Sequence, residues 1–213
     1  MDENDISELE DFNVCSLAVN YLQSKKREEA WVQSTRGDWL VFALGFMDTR
    51  LGWPGRKTAC LCACDCVETG LSFVLEVGRA SLQSAINTVR DWCGENSTVT
   101  TNDLSTLLDS FRASSDSLRN SEETKTLPST AIVTAVSFLL DGVHCAATDH
   151  ANCPKRLSRA CIWVAEAHIY TTPAVVIKLE DGSLGGTSPR PGVYQNFANI
   201  VRSRVPSVPS DPI

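Results

Sequence analysis

From Ala131 to Leu140 the chain reads Ala-Ile-Val-Thr-Ala-Val-Ser-Phe-Leu-Leu, a run that a helix would render apolar on nearly every side. A helix with no polar face is stable in water only if other elements close around it, so this run predicts the central helix of a helical array. Pro128 suits its first turn, where the missing N–H would have had no partner and the fixed φ is already helical.

The windows around it supply one-sided helices to do the covering. Leu82, Ala85, Ile86, Val89 and Cys93 fall on one face at a 3.6-residue period, predicting a helix from about Arg79. Gly94 is its expected stop, since glycine tolerates the left-handed conformation that ends many helices. Thr100, Thr101, Asn102 and Asp103 can accept bonds from first-turn amides and so announce the next helix, whose apolar stripe is Leu104, Leu107, Leu108 and Phe111. Polar residues then dominate from Ser114 to Thr126, where that helix is expected to fray into a solvated loop. The loop is a candidate subdomain break within one helical domain spanning 1–213. Pro154 opens another amphipathic helix carrying Leu157, Ala160, Cys161, Val164 and His168, with Lys155, Arg156 and Arg159 off the stripe.

Upstream, Ile6 to Leu22 reads as an amphipathic helix, Glu28 to Gln33 as a short one, Asp38 to Met47 as an apolar one, and Lys57 to Val77 as a longer one. Trp53-Pro54-Gly55 separates the last two. Ala174 to Lys178 is β-like, with Asp181-Gly182 as a turn signal after it, and Tyr194 to Val201 is a closing helix before a proline-punctuated tail. No repeat of fixed period emerges. The expected fold is all-α, a compact multi-helix array with room for one short β-hairpin near residues 174–187.

At 213 residues the chain is long enough to bury roughly 70% of its unfolded surface without staples. A net charge of -7 and a pI near 5.0 are the wrong sign for neutralising phosphates, so a nucleic-acid partner is not expected; the acidity suits a basic protein partner, such as a toxin, but more often simply aids solubility. Acidic residues occupy the start, where a secretory signal needs a basic and then an apolar segment. The uncharged stretch Leu127 to Leu140 is shorter than the roughly 18 to 20 residues that span a bilayer. A cytoplasmic protein with no membrane contact is the expectation. In that compartment the nine cysteines are expected to be mostly free thiols, and neither Arg36-Gly37-Asp38 nor Asn96-Ser97-Thr98 acts as an adhesion or glycosylation signal.

Four sets of residues invite a chemical reading. Cys60, Cys62, Cys64 and Cys66 alternate within a predicted helix, which points neighbouring thiols in widely separated directions and suits packing better than one shared ion. His144, Cys145, His150 and Cys153 gather near a helix end and the loop after it, but their spacing matches no standard metal site and no nucleophile signature. Asp65 with Glu68, and Glu166 with Asp149, could be acid and base pairs or surface charges. No phosphate-binding loop, dinucleotide fingerprint, nucleophile elbow or zinc-protease helix is present, so no enzyme mechanism with a strong signature applies, and no cofactor is expected.

The fourth set is Ala30-Trp31-Val32-Gln33-Ser34-Thr35-Arg36-Gly37-Asp38-Trp39-Leu40-Val41-Phe42, where two tryptophans bracket an arginine and an aspartate. As structure, Asp38 would cap a helix beginning at Trp39, Arg36 would pair with a carboxylate, and both indoles would pack in the core. As function, Trp31, Arg36, Asp38 and Trp39 would belong to a partner-binding surface, because tryptophan and arginine are enriched at hot spots.

The pattern Ala-Trp-x(4)-Arg-x-Asp-Trp-Leu in that segment resembles the signature of a helical immunity protein family associated with bacterial polymorphic toxin systems. Ala59 to Glu68 resembles that family's alanine- and cysteine-containing helix, Arg79 to Trp92 the helix after it, and Ala198 to Pro206 its closing Ile-Val-Arg and proline. Ser34, Phe42 and the Arg79-Ala80-Ser81-Leu82 stretch depart from it, where cysteine, tryptophan and a proline would be expected. The resemblance implies an all-α, cofactor-free protein that binds a cognate toxin and neutralises it by occlusion. Two other readings remain: a thiol- or metal-binding protein using His144, Cys145, His150 and Cys153, and a helical module with a non-toxin partner.

Overall fold

Helix starts lie where side-chain oxygens meet orphan amides. Thr100 and Asp103 bond reciprocally, each side chain accepting from the other's backbone N–H at 3.2 and 2.7 Å, a capping box at the head of the helix Thr101–Asn120. Thr126 Oγ1 accepts from the Ser129 N–H at 3.3 Å and starts Leu127–Ala147, with Pro128 in its first turn. The computed structural model describes residues 16–47, 54–120, 126–171, 175–178, 184–187 and 190–208.

In chain order the described elements are α1 (16–23), α2 (Arg27–Gln33), α3 (Gly37–Phe46), α4 (Gly55–Glu68), a short 3₁₀ turn (Leu71–Phe73), α5 (Glu76–Cys93), α6 (Thr101–Asn120), α7 (Leu127–Ala147), α8 (Cys153–Thr171), β1 (Val175–Lys178), β2 (Leu184–Thr187) and α9 (Arg190–Arg204). The fold is an all-α array carrying one antiparallel hairpin, in which Val175 pairs with Thr187 and Lys178 with Leu184.

α7 is the central helix. It packs against α8, α6, α4 and α5, and buries Ile132, Val133, Val136, Leu139, Leu140 and Val143. At 21 residues it is longer than its uncharged apolar stretch and by length and composition could cross a membrane, but half of its apolar window is covered by the neighbouring helices. The turn from 148 to 152 returns the chain into α8, the most extensive packing in the molecule. Leu157, Ala160, Cys161 and Val164 are fully buried there, whereas Lys155, Arg156 and Arg159 stay partly exposed. Gly142 lets the two helices close: an added Cβ would lie 2.6 Å from Leu157 Cδ2.

The α5 stripe is buried as its period requires, with Leu82, Ile86 and Val89 at 0% exposure. Gly94 ends it at φ -63°, so the stop is an extended exit rather than a left-handed one. Three boundaries depart from the sequence reading. The helix expected over Lys57 to Val77 breaks after Glu68, because Thr69 Oγ1 donates to the Cys66 carbonyl at 2.7 Å and Gly70 lies against Ile132 and Val164, where a continuing side chain would clash. α5 accordingly starts at Glu76, before Arg79. The polar stretch from Ser114 remains helical to Asn120, its Ser114 and Ser115 hydroxyls donating to carbonyls three and four residues back. The early part of the Ile6 to Leu22 helix, the Trp53 breaker, residues 121–125 of the polar loop and the Asp181-Gly182 turn lie outside the described residues.

Candidate functional site

The tryptophan-rich segment crosses from α2 to α3 and is locked against α9. Arg202 of α9 donates to the Trp31 carbonyl at 2.8 and 3.1 Å and also to the Ser34 carbonyl, while Trp31 Nε1 returns a bond to the Val205 carbonyl at 3.1 Å. Ser34 Oγ accepts from the Arg36 N–H at 3.2 Å, turning the chain into α3. Gly37 is the point of closest approach, since any Cβ there would sit 2.3 Å from Phe197 Cβ and 2.5 Å from the Ala198 nitrogen.

Arg36 forms two parallel bonds to Asp38, Nε to Oδ1 at 2.8 Å and Nη2 to Oδ2 at 2.7 Å. Its guanidinium lies 4.1 Å from the Tyr194 ring centre and 4.9 Å from that of Trp39, and Tyr21 packs on Trp39 at 5.3 Å. Asp38 is completely buried. Burial pushes its carboxyl above the ordinary range, and the hydrogen bonds and charge of Arg36 offset part of that rise. The helix cap is Arg36 rather than Asp38, which stands inside the first turn of α3 because its carboxylate is taken by the arginine. Trp31 is 1% exposed and Asp38 fully enclosed, so these two act from the interior; only Arg36 and Trp39 of the four sequence-derived candidates keep surface in contact with solvent. The same burial withdraws Asp38 from any presentation of the Arg36-Gly37-Asp38 tripeptide.

Directly beside this lock lies an apolar groove of about 380 Å³ lined by Val19, Leu22, Gln23, Lys25, Arg27, Trp31, Ala43, Phe46 and Met47. Its walls are α1, α2 and the last turn of α3, with the buried Trp31 among its lining residues. The helices that build it also expose Leu17, Val32 and Phe46, the last at 61% although it stacks on Phe42 at 5.7 Å. Lys25 at the rim is engaged by Gln33 and Glu29. The signal for this groove is faint in sequence: α3 stays apolar to its last residue, Phe46, and Met47 follows at its cap, more than the neighbours cover.

The other candidates disperse. No group of three or more His, Cys, Asp or Glu side chains among the described residues is placed to hold a metal ion. His150 is exposed with Nδ1 accepting from the Asn152 N–H at 3.1 Å, whereas Cys153 is buried. Burial pushes the Cys145 thiol up, away from the activated state a nucleophile needs. Asp65 is held by Arg90 and Arg204, and Glu68 by Arg90 and Gln83, a surface network tying α4 to α5 and α9. Asp149 pairs with Arg56. The alternating thiols of α4 are all buried, free cysteines. Compared with protein-family models, curated proteins and solved structures, the chain matches none.

Proposed function

We propose that this chain is an immunity-like protein that binds a cognate bacterial toxin in the cytoplasm and neutralises it by occluding its active surface one-to-one. The observation that carries the reading is the apolar groove between α1, α2 and α3, flanked by exposed Phe46 and backed by the rigid Arg36–Asp38 lock. A groove of this size seats one or two apolar anchors, and hot spots of that kind dominate interfaces of about 1,600 Å². The net charge of -7 favours a partner with a basic surface and would speed its capture at low salt. The resemblance of the Trp31 to Phe42 segment to the immunity family supports the same assignment. Occlusion needs no cofactor, nucleic acid or membrane.

Co-expression with the toxin encoded by the adjacent open reading frame tests it. Growth should be restored and a complex should co-purify. Absence of any complex at micromolar concentration, together with undiminished toxicity, would end the proposal.

A further inference from the structure

The charge of the α1–α3 groove runs against that of the chain. Among the described residues that line it, the two ionised side chains are both cations, Lys25 and Arg27, in a molecule whose net charge is -7. Lys25 is held in place at the rim: its Nζ donates to Gln33 Oε1, lies 3.8 Å from Glu29 and stands 5.6 Å from the Tyr21 ring centre. The Glu29 contact is an i, i+4 pair open to water, which screens it, so the lysine still presents positive charge to whatever enters. A cation already fixed by its neighbours loses little freedom when a carboxylate arrives.

The form of the groove selects the backbone of its occupant. Its lining residues lie on α1, α2 and α3, in the turn between the first two and at the cap of the third, with no strand among them. Backbone groups of the walls are therefore spent within helices, and an extended segment would find no ladder to join and would bury unpaired amides. A helix brings its own backbone bonds and presents apolar side chains at i, i+3 and i+4 to Trp31, Ala43, Phe46 and Met47.

We infer that the segment seated here is an amphipathic helix of the partner whose apolar anchors are flanked by aspartate or glutamate, placed to meet Lys25 and Arg27. The inference rests on the partner-binding reading above and adds the chemistry of the docking segment. Two charge effects then act at different range. The net charge of -7 steers a basic partner from a distance, while contacts of a few ångströms at the rim decide which of its helices enters. The partner is basic over its surface and acidic beside its anchors.

Charge reversal reads the sign of the contact. Titration calorimetry against the product of the adjacent open reading frame compares the full-length wild type with Lys25→Glu, Arg27→Glu and Lys26→Glu, and thermal unfolding checks that each variant is folded. Lys26 is exposed and does not line the groove, yet its reversal changes the net charge by the same amount, so it is the matched control. Lys25→Glu and Arg27→Glu should each bind on the order of fivefold more weakly, and Lys26→Glu within about twofold of the wild type. The neutral variants Lys25→Gln and Arg27→Gln should fall between, and they decide the matter if a reversal does not fold. Unchanged or tighter binding by the groove variants, or an equal loss in Lys26→Glu, would overturn the acidic helix and leave the partner-binding reading standing. Absence of binding by the folded wild type would remove both.

Discussion

Gly37→Ala should be among the most damaging single-carbon additions in this molecule. The new Cβ would meet Phe197 Cβ at 2.3 Å, the Phe197 carbonyl carbon at 2.4 Å and the Ala198 nitrogen at 2.5 Å, where ordinary contact begins at 3.4 Å. Two of those three atoms are backbone, so no rotamer change relieves the clash and α9 must retreat by roughly 1 Å. Phe197, Ala198 and Val201 are each at 0% exposure on the face that would pull away. A gap of about 1 Å forfeits a quarter to a half of each contact's attraction. Applied to side chains whose full burial contributes about 1.5–3 kcal/mol each, and with weakened Arg202 and Trp31 bonds added, the loss is about 2–4 kcal/mol. Urea unfolding followed by tryptophan fluorescence would measure it, and thermal unfolding should fall by roughly 5–12 °C. Gly192→Ala is the matched control, because nothing lies within 4 Å of its added Cβ. A Gly37→Ala protein as stable as the wild type would refute the close α3–α9 crossing.

The two indoles should respond differently. Trp31→Phe strands the Val205 carbonyl and opens a cavity in the core, costing about 2–3 kcal/mol, whereas Trp39→Phe removes a buried N–H that has no partner and should stay within about 1 kcal/mol. Equal losses in chemical denaturation would contradict this division. Glu68 carries a carboxyl held below its usual value of 4.5 first by the Arg90 hydrogen bond. A depressed carboxylate contributes stability above its unfolded pKa and loses it as pH falls through the folded one, so acidification below about pH 4.5 should erode that contribution. The group is partly exposed and solvent screens it, so the effect is well under about 1 kcal/mol. Glu68→Gln should lose less stability than the wild type between pH 7 and about pH 3; identical acid limbs in urea titrations would count against the network.

Much of the array is legible in the residues because burial and helical period are tied together. Leu82, Ala85, Ile86, Val89 and Cys93 occur at one-face spacing and are the buried face of α5. The all-round apolarity of Ala131 to Leu140 could be satisfied only at the centre. What failed did so through contacts distant in sequence. The break between α4 and α5 depends on Ile132 filling the space beside Gly70, and helix propensity alone carries no trace of that. Asp38 looked like a cap, but a half-buried guanidinium partner two residues away competed for it. The Trp31–Arg36–Asp38–Trp39 group was recognisable as special, yet which side chains face inward was settled by Arg202 and Tyr194, more than 150 positions later. The groove is likewise a product of helix ends meeting, which no local pattern encodes.

Titration calorimetry of the purified chain and its Phe46→Asp variant against the product of the adjacent open reading frame bears most directly on the proposal that this molecule acts by seating a partner in the α1–α3 groove. Phe46 is 61% exposed, so the aspartate should leave the fold and its unfolding midpoint nearly unchanged while placing an unpaired charge where an apolar anchor must enter. The wild type should bind one-to-one at micromolar affinity or tighter, and the variant at least about tenfold more weakly, a loss near 1.4 kcal/mol. Equal binding by the folded variant, or no heat of binding from the wild type, would contradict it.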